Sequence, residues 1–483
     1  MVMSAIRGEF DTGNRELFFT IAFAISAGFV ALFVMPVDNF WIFFVCSVFS
    51  FVVLCKFKIG FYLLVPLVMF ELQSFMIHTS KSLRTDFVGI YFPVLILTFT
   101  GWILTRFAGL PGGYKKNIPN IDFYISLLLA WSALTLLWVP NFQHALIQWV
   151  RFVGNIFILY LVANTVTGVR GHKWIVFILL IVGIALSVGA ILSITLYRTH
   201  GYSYMTRITD LISLKFSFVV FPYPYHPRAM GLLPHNAVAG LLNTITGLTL
   251  ILFLFEKKII YKSILLVSMI FMAYAILQTK SRGGLVAYLV MWGFFFITLP
   301  PLKDKFIRNA LFFIIVFTAV FMSVYWEHLF TSRLSSGSAG HSVTQRLEWW
   351  ADGLKVLHEQ YSWMGMGPGG FKYHQNPWIV PHAHNIYLSV LFDYGIIGFA
   401  TFIALIFFLG KHLYGILKSY VPTYTQSMVI GSLGGIVALG IHGLIDIEYN
   451  IAPLWFLLGL LVATSRMARE ELNYFQANKE RSV

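Results

Sequence analysis

Charged residues are scarce in this chain of 483 residues. Asp, Glu, Lys and Arg make up 11% of the sequence, whereas soluble domains contain about 25% charged residues. Hydrophobic residues make up 58%, and the mean hydropathy is +0.77. This composition excludes a water-soluble enzyme, an intrinsically disordered protein and a secreted disulfide scaffold, and it predicts a chain embedded in lipid.

Cysteine is also rare, with only Cys46 and Cys55, both in one apolar run. As helix positions nine apart they would be separated by about 13 Å, which is too far for a disulfide. They therefore indicate nothing about the redox compartment. The formal charge of +14 would suggest a nucleic-acid partner only if the basic residues clustered on a soluble face, and they do not, so we expect no nucleic acid.

Long apolar runs are abundant, and a bilayer core needs about 20 apolar residues as a helix. The first run is followed by Val34-Met35-Pro36 rather than a small-residue cleavage site, so we interpret it as a retained anchor. We predict an all-α integral membrane protein with about 12–14 transmembrane helices and a large outer loop at 327–385. The fourteen candidate runs lie near 17–35, 39–55, 59–77, 87–105, 122–139, 144–166, 174–197, 237–255, 259–278, 284–300, 309–326, 386–409, 426–444 and 450–466.

The placement of basic residues predicts the orientation of these spans. With both termini in the cytoplasm, most of the 34 Lys and Arg residues fall on the cytoplasmic side, and the short outer turns near 36–38, 140–143 and 445–449 carry none. The outer exceptions cluster at about 198–236 and in 279–283 with 327–385. Lys and Arg are disfavoured on the outer side of a membrane, so their presence there has to be explained. The simplest explanation is an anionic ligand that binds at the outer face.

Residues 365–398 are the most informative stretch. Glycines 365, 367, 369 and 370 permit turns, and His382 and His384 then precede the span that begins near 386. An imidazole at a helix entrance can accept a proton near neutral pH. The structural alternative is that His384 caps the helix, and a metal site lacks a third ligand at suitable spacing.

Two further outer segments carry arginine beside glycine and proline. In Thr279-Lys-Ser-Arg-Gly-Gly284, two glycines allow a tight turn and Arg282 can face a cavity, where guanidinium suits a phosphate. Arg228 lies in His226-Pro-Arg-Ala-Met-Gly-Leu-Leu-Pro-His-Asn236. The alternative for both arginines is contact with lipid headgroups.

Weaker candidates complete the set. Gln345-Arg-Leu-Glu-Trp-Trp350 is typical of an amphipathic helix on the outer face, in which Arg346 serves a substrate or pairs with a nearby acid or a headgroup. Arg151, Glu71 and Asp393 lie in or near spans, where ionisable groups are costly and often functional.

Taken together, these motifs resemble the bacterial O-antigen ligase and O-antigen polymerase superfamily. The resemblance rests on a pattern in which His384-Asn385 is followed after nine residues by Gly395 and after two more by Gly398. The segments 281–284, 345–349 and 365–371 precede it in the order found in the family. It covers about residues 225–410. One departure is Pro234-His-Asn236, where many relatives have proline directly before asparagine.

The resemblance implies a GT-C-like glycosyltransferase of the inner membrane, with its active site facing the periplasm. Such an enzyme moves a glycan whole from undecaprenyl diphosphate to an acceptor hydroxyl, without a cofactor or metal. In a ligase the acceptor is a lipid A-core sugar, and in a polymerase it is another lipid-linked glycan. On this basis residues 1–200 hold N-terminal helices, 201–410 the catalytic region, and 411–483 the last helices and a cytoplasmic tail.

The resemblance also implies roles for individual residues. His384 is the candidate base for the acceptor hydroxyl. Arg228, Arg282 and Arg346 are candidates for binding the diphosphate, whose charge grows as the glycosidic bond breaks. His382, Asn385 and Tyr387 are candidate supporting groups. The rival from another class is a membrane transporter in which Arg151, Glu71 and Asp393 couple ions; against it, no inverted repeat is visible.

Overall fold

The computed structural model of the protein describes a bundle of helices and the shorter helical segments at one end of that bundle. The described residues are 40–70, 91–107, 121–216, 235–299, 309, 338–374, 383–418, 423–445 and 449–481. Within these ranges the chain is helical and contains no strand. The prediction of an all-α integral membrane protein is therefore confirmed.

The helices follow the apolar runs of the sequence. Thr135–Leu137 forms a 3₁₀ turn and Leu357–Tyr361 a π-helical turn. The α-helices are α1 (Phe40–Cys55), α2 (Phe57–Phe70), α3 (Tyr91–Phe107), α4 (Ile121–Leu134), α5 (Phe142–Thr165), α6 (Val169–Phe216), α7 (His235–Phe255), α8 (Ile259–Thr279), α9 (Arg282–Thr298), α10 (Ser338–Val356), α11 (Phe371–His374), α12 (Ile386–Lys418), α13 (Tyr424–His442) and α14 (Ala452–Arg481).

Six of the described helices are long and apolar enough to cross a membrane, namely α5, the first 28 residues of α6, α7, α8, α12 and α13. The count rises to seven if a bent pair near the N-terminus is one span. Three shorter apolar helices, at Tyr91–Phe107, Ile121–Leu137 and Arg282–Thr298, coincide with other predicted runs. The runs predicted near 17–35 and 309–326 lie outside the described residues.

Two of the predicted runs, near 39–55 and 59–77, meet at a sharp bend. Val48–Cys55 and Phe57–Met69 meet at an angle of 108° across Lys56. Both halves are shorter than the about 20 residues that a straight crossing needs. They form one broken span or a re-entrant loop.

Two helices extend well past the apolar runs that predict them. α6 has 48 residues, of which Val169–Leu196 is the apolar part, and it continues through 216 because no proline interrupts it before Pro222. α14 likewise continues to Arg481, in a segment expected to be a solvated tail. Hydropathy marks the part of a helix that lies in lipid, not the end of the helix.

The centre of the bundle is α13, which packs against α7, α9 and α14. Small residues allow the close approach: a Cβ on Gly435 would lie 2.8 Å from Thr244 of α7, and one on Gly431 would lie 2.7 Å from Ile251. Small residues at helix contacts are the usual solution in lipid, where helices gain little from burying apolar surface. The central position of α13 means that its C-terminal end can touch several other helices at once.

Polar side chains join three helices inside the bundle. Asn155 of α5 donates from Nδ2 to Asn450 Oδ1 at 2.9 Å, and its Oδ1 accepts from the Tyr91 hydroxyl at 3.5 Å. Asn450 in turn donates to the Gln148 carbonyl oxygen at 3.1 Å. These buried polar contacts tie α3, α5 and the start of α14 together.

Candidate active site

A turn at the end of α13 receives hydrogen bonds from two of the segments that the sequence singled out. The turn is 443–445, and its three successive backbone carbonyls all act as acceptors. They accept from the Ile386 N–H at 2.7 Å, the Asn385 side-chain amide at 3.0 Å and the Arg346 guanidinium at 2.6 Å. The turn therefore holds the start of α12 and the middle of α10 at the same place.

The third segment reaches the same place through His442, the last residue of α13. Its ring Nε2 lies 3.4 Å from the Ser281 hydroxyl, one residue before α9 begins. Gly283 packs against the same ring, because a Cβ there would lie 2.9 Å from Cδ2. Arg282 lies between these two contacts. The structure thus brings residues 281–284, 345–350 and 383–388 to one end of the bundle.

His384 adopts an unusual backbone conformation at this end. Its φ is +51°, a left-handed value that costs a non-glycine residue about 1–3 kcal/mol and is typical of functional positions. The half-buried imidazole stacks on Trp349 of α10, with ring centroids 6.3 Å apart and planes inclined by 24°. A strained backbone and a stacked ring both restrict where the imidazole can lie.

Asn385, not His384, caps α12. Its Oδ1 accepts from the N–H groups of Tyr387 at 2.9 Å and Leu388 at 3.0 Å, the usual geometry of an N-terminal cap. The capping role considered for His384 in the sequence therefore belongs to its neighbour. Tyr387 also donates its hydroxyl hydrogen to the Gly440 carbonyl oxygen at 3.4 Å. Both residues fasten α12 to α13.

The amphipathic segment predicted at 345–350 is helical, as part of α10. It crosses the entrance of α12 at three points. Arg346 binds the turn after α13, Trp349 stacks on His384, and Trp350 Nε1 donates to the Ala383 carbonyl oxygen at 2.7 Å.

The start of α9 differs from the turn expected there. The chain turns at Lys280, whose φ is +51°, while Gly283 and Gly284 lie inside the first helical turn. Both glycines are needed for space: a Cβ on Gly284 would lie 2.5 Å from the Ala239 Cβ of α7. Asn243 of α7 adds a hydrogen bond from Nδ2 to the Gly284 carbonyl oxygen at 2.8 Å. The glycines let α9 pack closely instead of letting the chain turn.

Three basic side chains, those of Arg198, Lys280 and Arg282, lie around the start of α9. Partial burial and the nearby Arg198 both lower the pKa of Lys280, which lies between α8 and α9. Arg198 donates from Nη2 to Gln278 Oε1 at 3.3 Å. With Arg282 two residues further on, these cations create a positive potential that suits an anionic ligand.

The glycine-rich segment 365–370 explains a break in α12. The helix is interrupted at Gly395, and the segment fills the gap by backbone hydrogen bonds: Met366 N–H donates to the Phe392 carbonyl oxygen at 2.7 Å and Gly367 N–H donates to that of Asp393 at 2.8 Å. These bonds satisfy carbonyls that would otherwise be unpaired at a helix end. Two of the sequence motifs are therefore halves of one structural feature.

The Asp393 side chain reinforces this junction. Its Oδ2 accepts from the Gly369 N–H at 3.1 Å and from the Tyr449 hydroxyl at 2.8 Å. Burial and the adjacent carboxylate raise the pKa of Tyr449, in the loop before α14, well above its ordinary value. Tyr449 is therefore a neutral hydrogen-bond donor at physiological pH. The contacts point to a structural function for Asp393.

Some of the predicted residues cannot be placed relative to this site. Arg228, His382 and Glu71 lie outside the described residues. Arg151 lies within α5, as predicted. Within the described ranges, no group of three or more His, Cys, Asp or Glu side chains could hold a metal ion.

Residues 267–403 match the family model described as O-antigen ligase. This segment is similar to the O-antigen ligase family. The match runs from the middle of α8 to the middle of α12, so it contains Arg282, Arg346, His384 and both parts of the junction at Gly395. It confirms the resemblance to the O-antigen ligase and polymerase superfamily. No curated protein matches the chain.

The sequence motifs gave no indication of His442, although it lies beside the segments that they single out. His442 lies outside the matched residues and 158 positions after the glycine pair of α9, yet it touches that helix start. The available signal was an ionisable residue at the C-terminal end of an apolar run, which is uncommon in membrane helices. Sequence spacing alone could not connect it with residue 281.

Proposed function

We propose that the protein is an inverting glycosyltransferase that moves a glycan whole from undecaprenyl diphosphate to an acceptor hydroxyl. The acceptor proposed is a sugar of the lipid A core. The observation that carries the proposal is the convergence of the three segments bearing His384, Arg282 and Arg346 on the outer end of α13. The proposed location is the bacterial inner membrane, with the site facing the periplasm and both termini in the cytoplasm.

The proposed reaction needs a base and a set of cations. The acceptor oxygen forms a bond to the anomeric carbon while the bond from that carbon to the phosphate oxygen breaks. The acceptor proton passes to the imidazole of His384, and undecaprenyl diphosphate leaves with an additional negative charge. Arg282 and Arg346, together with Arg228, stabilise that charge. Attack opposite the leaving group inverts the anomeric configuration.

The arrangement of α10 supports a base at His384. Trp349 holds the imidazole by stacking, and the Trp350 indole holds the preceding carbonyl. A base that is fixed before the substrate arrives loses little entropy in the transition state. Asn385 and Tyr387 support it indirectly, since they fasten the helix that follows it.

The break in α12 bears on the transporter alternative. Discontinuous helices are typical of transporters, in which the exposed helix ends bind the substrate. Here the Ile396 N–H donates to the Ser362 carbonyl oxygen at 3.0 Å, and Met366 and Gly367 bind the other helix end. Because residues of the same chain occupy both ends of the break, this feature supports a rigid scaffold and favours the transferase.

A polymerase of the same superfamily would share this site and chemistry. Deleting the gene in the bacterium that carries it, followed by mass analysis of glycans on undecaprenyl diphosphate and on the lipid A core, separates the two. Long chains stranded on undecaprenyl diphosphate with a bare core support the ligase. Single repeats on both carriers would instead make the protein a polymerase, and unchanged glycans on both would contradict the proposal.

A further inference from the structure

His442 is an ionisable residue that lies fully buried at this end of the described bundle. It is 0% exposed and ends α13. Its Nε2 lies 3.4 Å from the Ser281 Oγ, and its ring forms the surface against which Gly283 packs. A buried imidazole is costly unless its polar atoms find partners, so this contact has to be explained.

Ser281 determines how α9 begins. Its Oγ accepts from the Gly284 N–H at 3.2 Å, and its own N–H donates to Thr279 Oγ1 at 3.2 Å. The hydroxyl hydrogen of Ser281 is donated to Nε2 of His442 when the imidazole carries its proton on Nδ1. Two contacts then fix the backbone of Arg282. The residue before it, Ser281, caps the helix, and the residue after it, Gly283, packs against the imidazole of His442.

The same end of α13 also positions the candidate base. The three carbonyls that follow His442 hold Arg346, Asn385 and the Ile386 N–H. His384 directly precedes Asn385. His442 consequently touches the start of α9 and also adjoins the turn that holds the start of α12.

We propose that His442 is a positioning residue for glycan transfer: its imidazole fixes Arg282 relative to His384. This inference rests on the proposed function. A guanidinium that stabilises the leaving diphosphate acts through a fixed location, and displacement of about 1 Å is enough to lose much of its effect. His442 itself touches no substrate.

Two substitutions separate the polar contact from the bulk of the ring. In His442→Gln the amide reaches about as far as Nε2 and can still accept from Ser281, whereas His442→Leu retains volume but has no acceptor. The matched control is His172→Leu. His172 is also 0% exposed, and its Nδ1 lies 3.3 Å from the Tyr424 hydroxyl at the opposite end of α13, about 27 Å along the helix.

The experiment measures kcat and donor KM for glycan transfer in proteoliposomes containing undecaprenyl-diphosphate-linked glycan and acceptor. We expect His442→Leu to lower kcat about 10- to 100-fold with little change in KM, the pattern of an interaction made in the transition state. His442→Gln should recover most of this loss, and His172→Leu should stay close to wild type. In an Arg282→Lys background, the loss caused by His442→Leu should shrink, because the two residues act as one unit.

Several results would overturn the inference. One is wild-type kcat in His442→Leu; another is an equal loss in His172→Leu, which would indicate general packing. A third is additivity with Arg282→Lys. An inactive wild-type protein or a fully active His384→Ala protein would instead count against the proposed function.

A binding measurement keeps the inference testable in that case. Farnesyl diphosphate serves as the probe because its free terminal phosphate carries the charge that the leaving group gains and the glycan-linked donor lacks, and the shift in thermal unfolding temperature that it causes is recorded for each purified variant. We expect the shift to vanish in Arg282→Ala, to fall in His442→Leu and to remain in His442→Gln and His172→Leu. A full shift in His442→Leu would overturn the positioning role whatever reaction the protein catalyses.

Discussion

Gly365 and Gly395 lie backbone against backbone at the break in α12. A Cβ on Gly395 would lie 2.5 Å from the Gly365 nitrogen, and a Cβ on Gly365 would collide with the Gly395 nitrogen. Both residues have left-handed φ values, +76° and +64° respectively. The two glycines are separated by thirty positions in the chain, and each is required by the conformation of the other.

This relationship predicts a clear difference between glycines of one helix. Gly395→Ala introduces a Cβ where there is neither space nor a suitable φ, so we expect a loss of about 2 kcal/mol or more in unfolding free energy. Gly410→Ala, in the regular part of α12 with no atom within 4 Å of the new Cβ, should stabilise by about 0.5–1 kcal/mol. Thermal unfolding in detergent measures both; equal behaviour of the two variants would contradict the packing described.

Replacement of the candidate base should abolish transfer without unfolding the protein. A general base contributes about 10²- to 10⁴-fold to the rate, so His384→Ala should lose transfer by a factor in this range. The unfolding temperature should change little because Asn385, not His384, caps the helix. Transfer is measured by mass analysis of the product in proteoliposomes. Activity retained by His384→Ala would remove this residue from the chemistry.

Arginine at position 282 should be replaceable only in part. Lysine supplies a charge but not the two-pronged geometry of guanidinium, so Arg282→Lys should keep part of the activity and Arg282→Ala should lose about 10²-fold or more. Arg469→Ala, on the exposed end of α14, is the control. If Arg282→Ala were as active as the control, the side chain would be assigned to lipid headgroups.

In the proposed reaction, arginine side chains rather than a metal ion stabilise the negative charge of the leaving diphosphate. Transfer should therefore be insensitive to EDTA and should not rise when Mg²⁺ or Mn²⁺ is added back. The measurement is the rate in proteoliposomes treated with chelator. A requirement for a divalent ion would contradict the account based on Arg228, Arg282 and Arg346.

The orientation is tested by labelling single cysteines. In a background with Cys46→Ala and Cys55→Ala, an impermeant thiol reagent applied to spheroplasts should label Gly340→Cys and should reach Gly415→Cys only after lysis. Gly415 is suitable because its new side chain meets no other atom within 4 Å. The reverse labelling pattern would overturn the orientation and the periplasmic site together.

Much of the helical architecture could be predicted, for a simple reason. Runs such as 237–255 and 259–278 coincide with α7 and α8 to within a few residues, because an apolar segment in lipid must satisfy its backbone internally. The ends of α6 and α14 could not be predicted from hydropathy, since both helices continue beyond the apolar part. The 108° bend at Lys56 depends on packing between neighbouring helices and has no proline or glycine at the bend itself to announce it.

The candidate site shows the same division. The motifs around His384, Arg282 and Arg346 are short and local, and they sufficed to single out three segments that the structure brings to one end of the bundle. The assignments of Asn385 as the cap and Lys280 as the turn depend on individual hydrogen bonds and φ values. The dual function of Gly395, as a motif residue and as a docking point for Gly365, requires the fold.

The sequence by itself determined that this protein is helical, lies in a membrane and resembles the O-antigen ligase family, because hydropathy and short motifs are properties of neighbouring residues. Only the tertiary structure decided that the C-terminal end of α13 joins the starts of α9 and α12. His442 and Ser281 are 161 positions apart, and such a contact arises when separate helices pack side by side. Which helix ends meet is decided by the whole bundle.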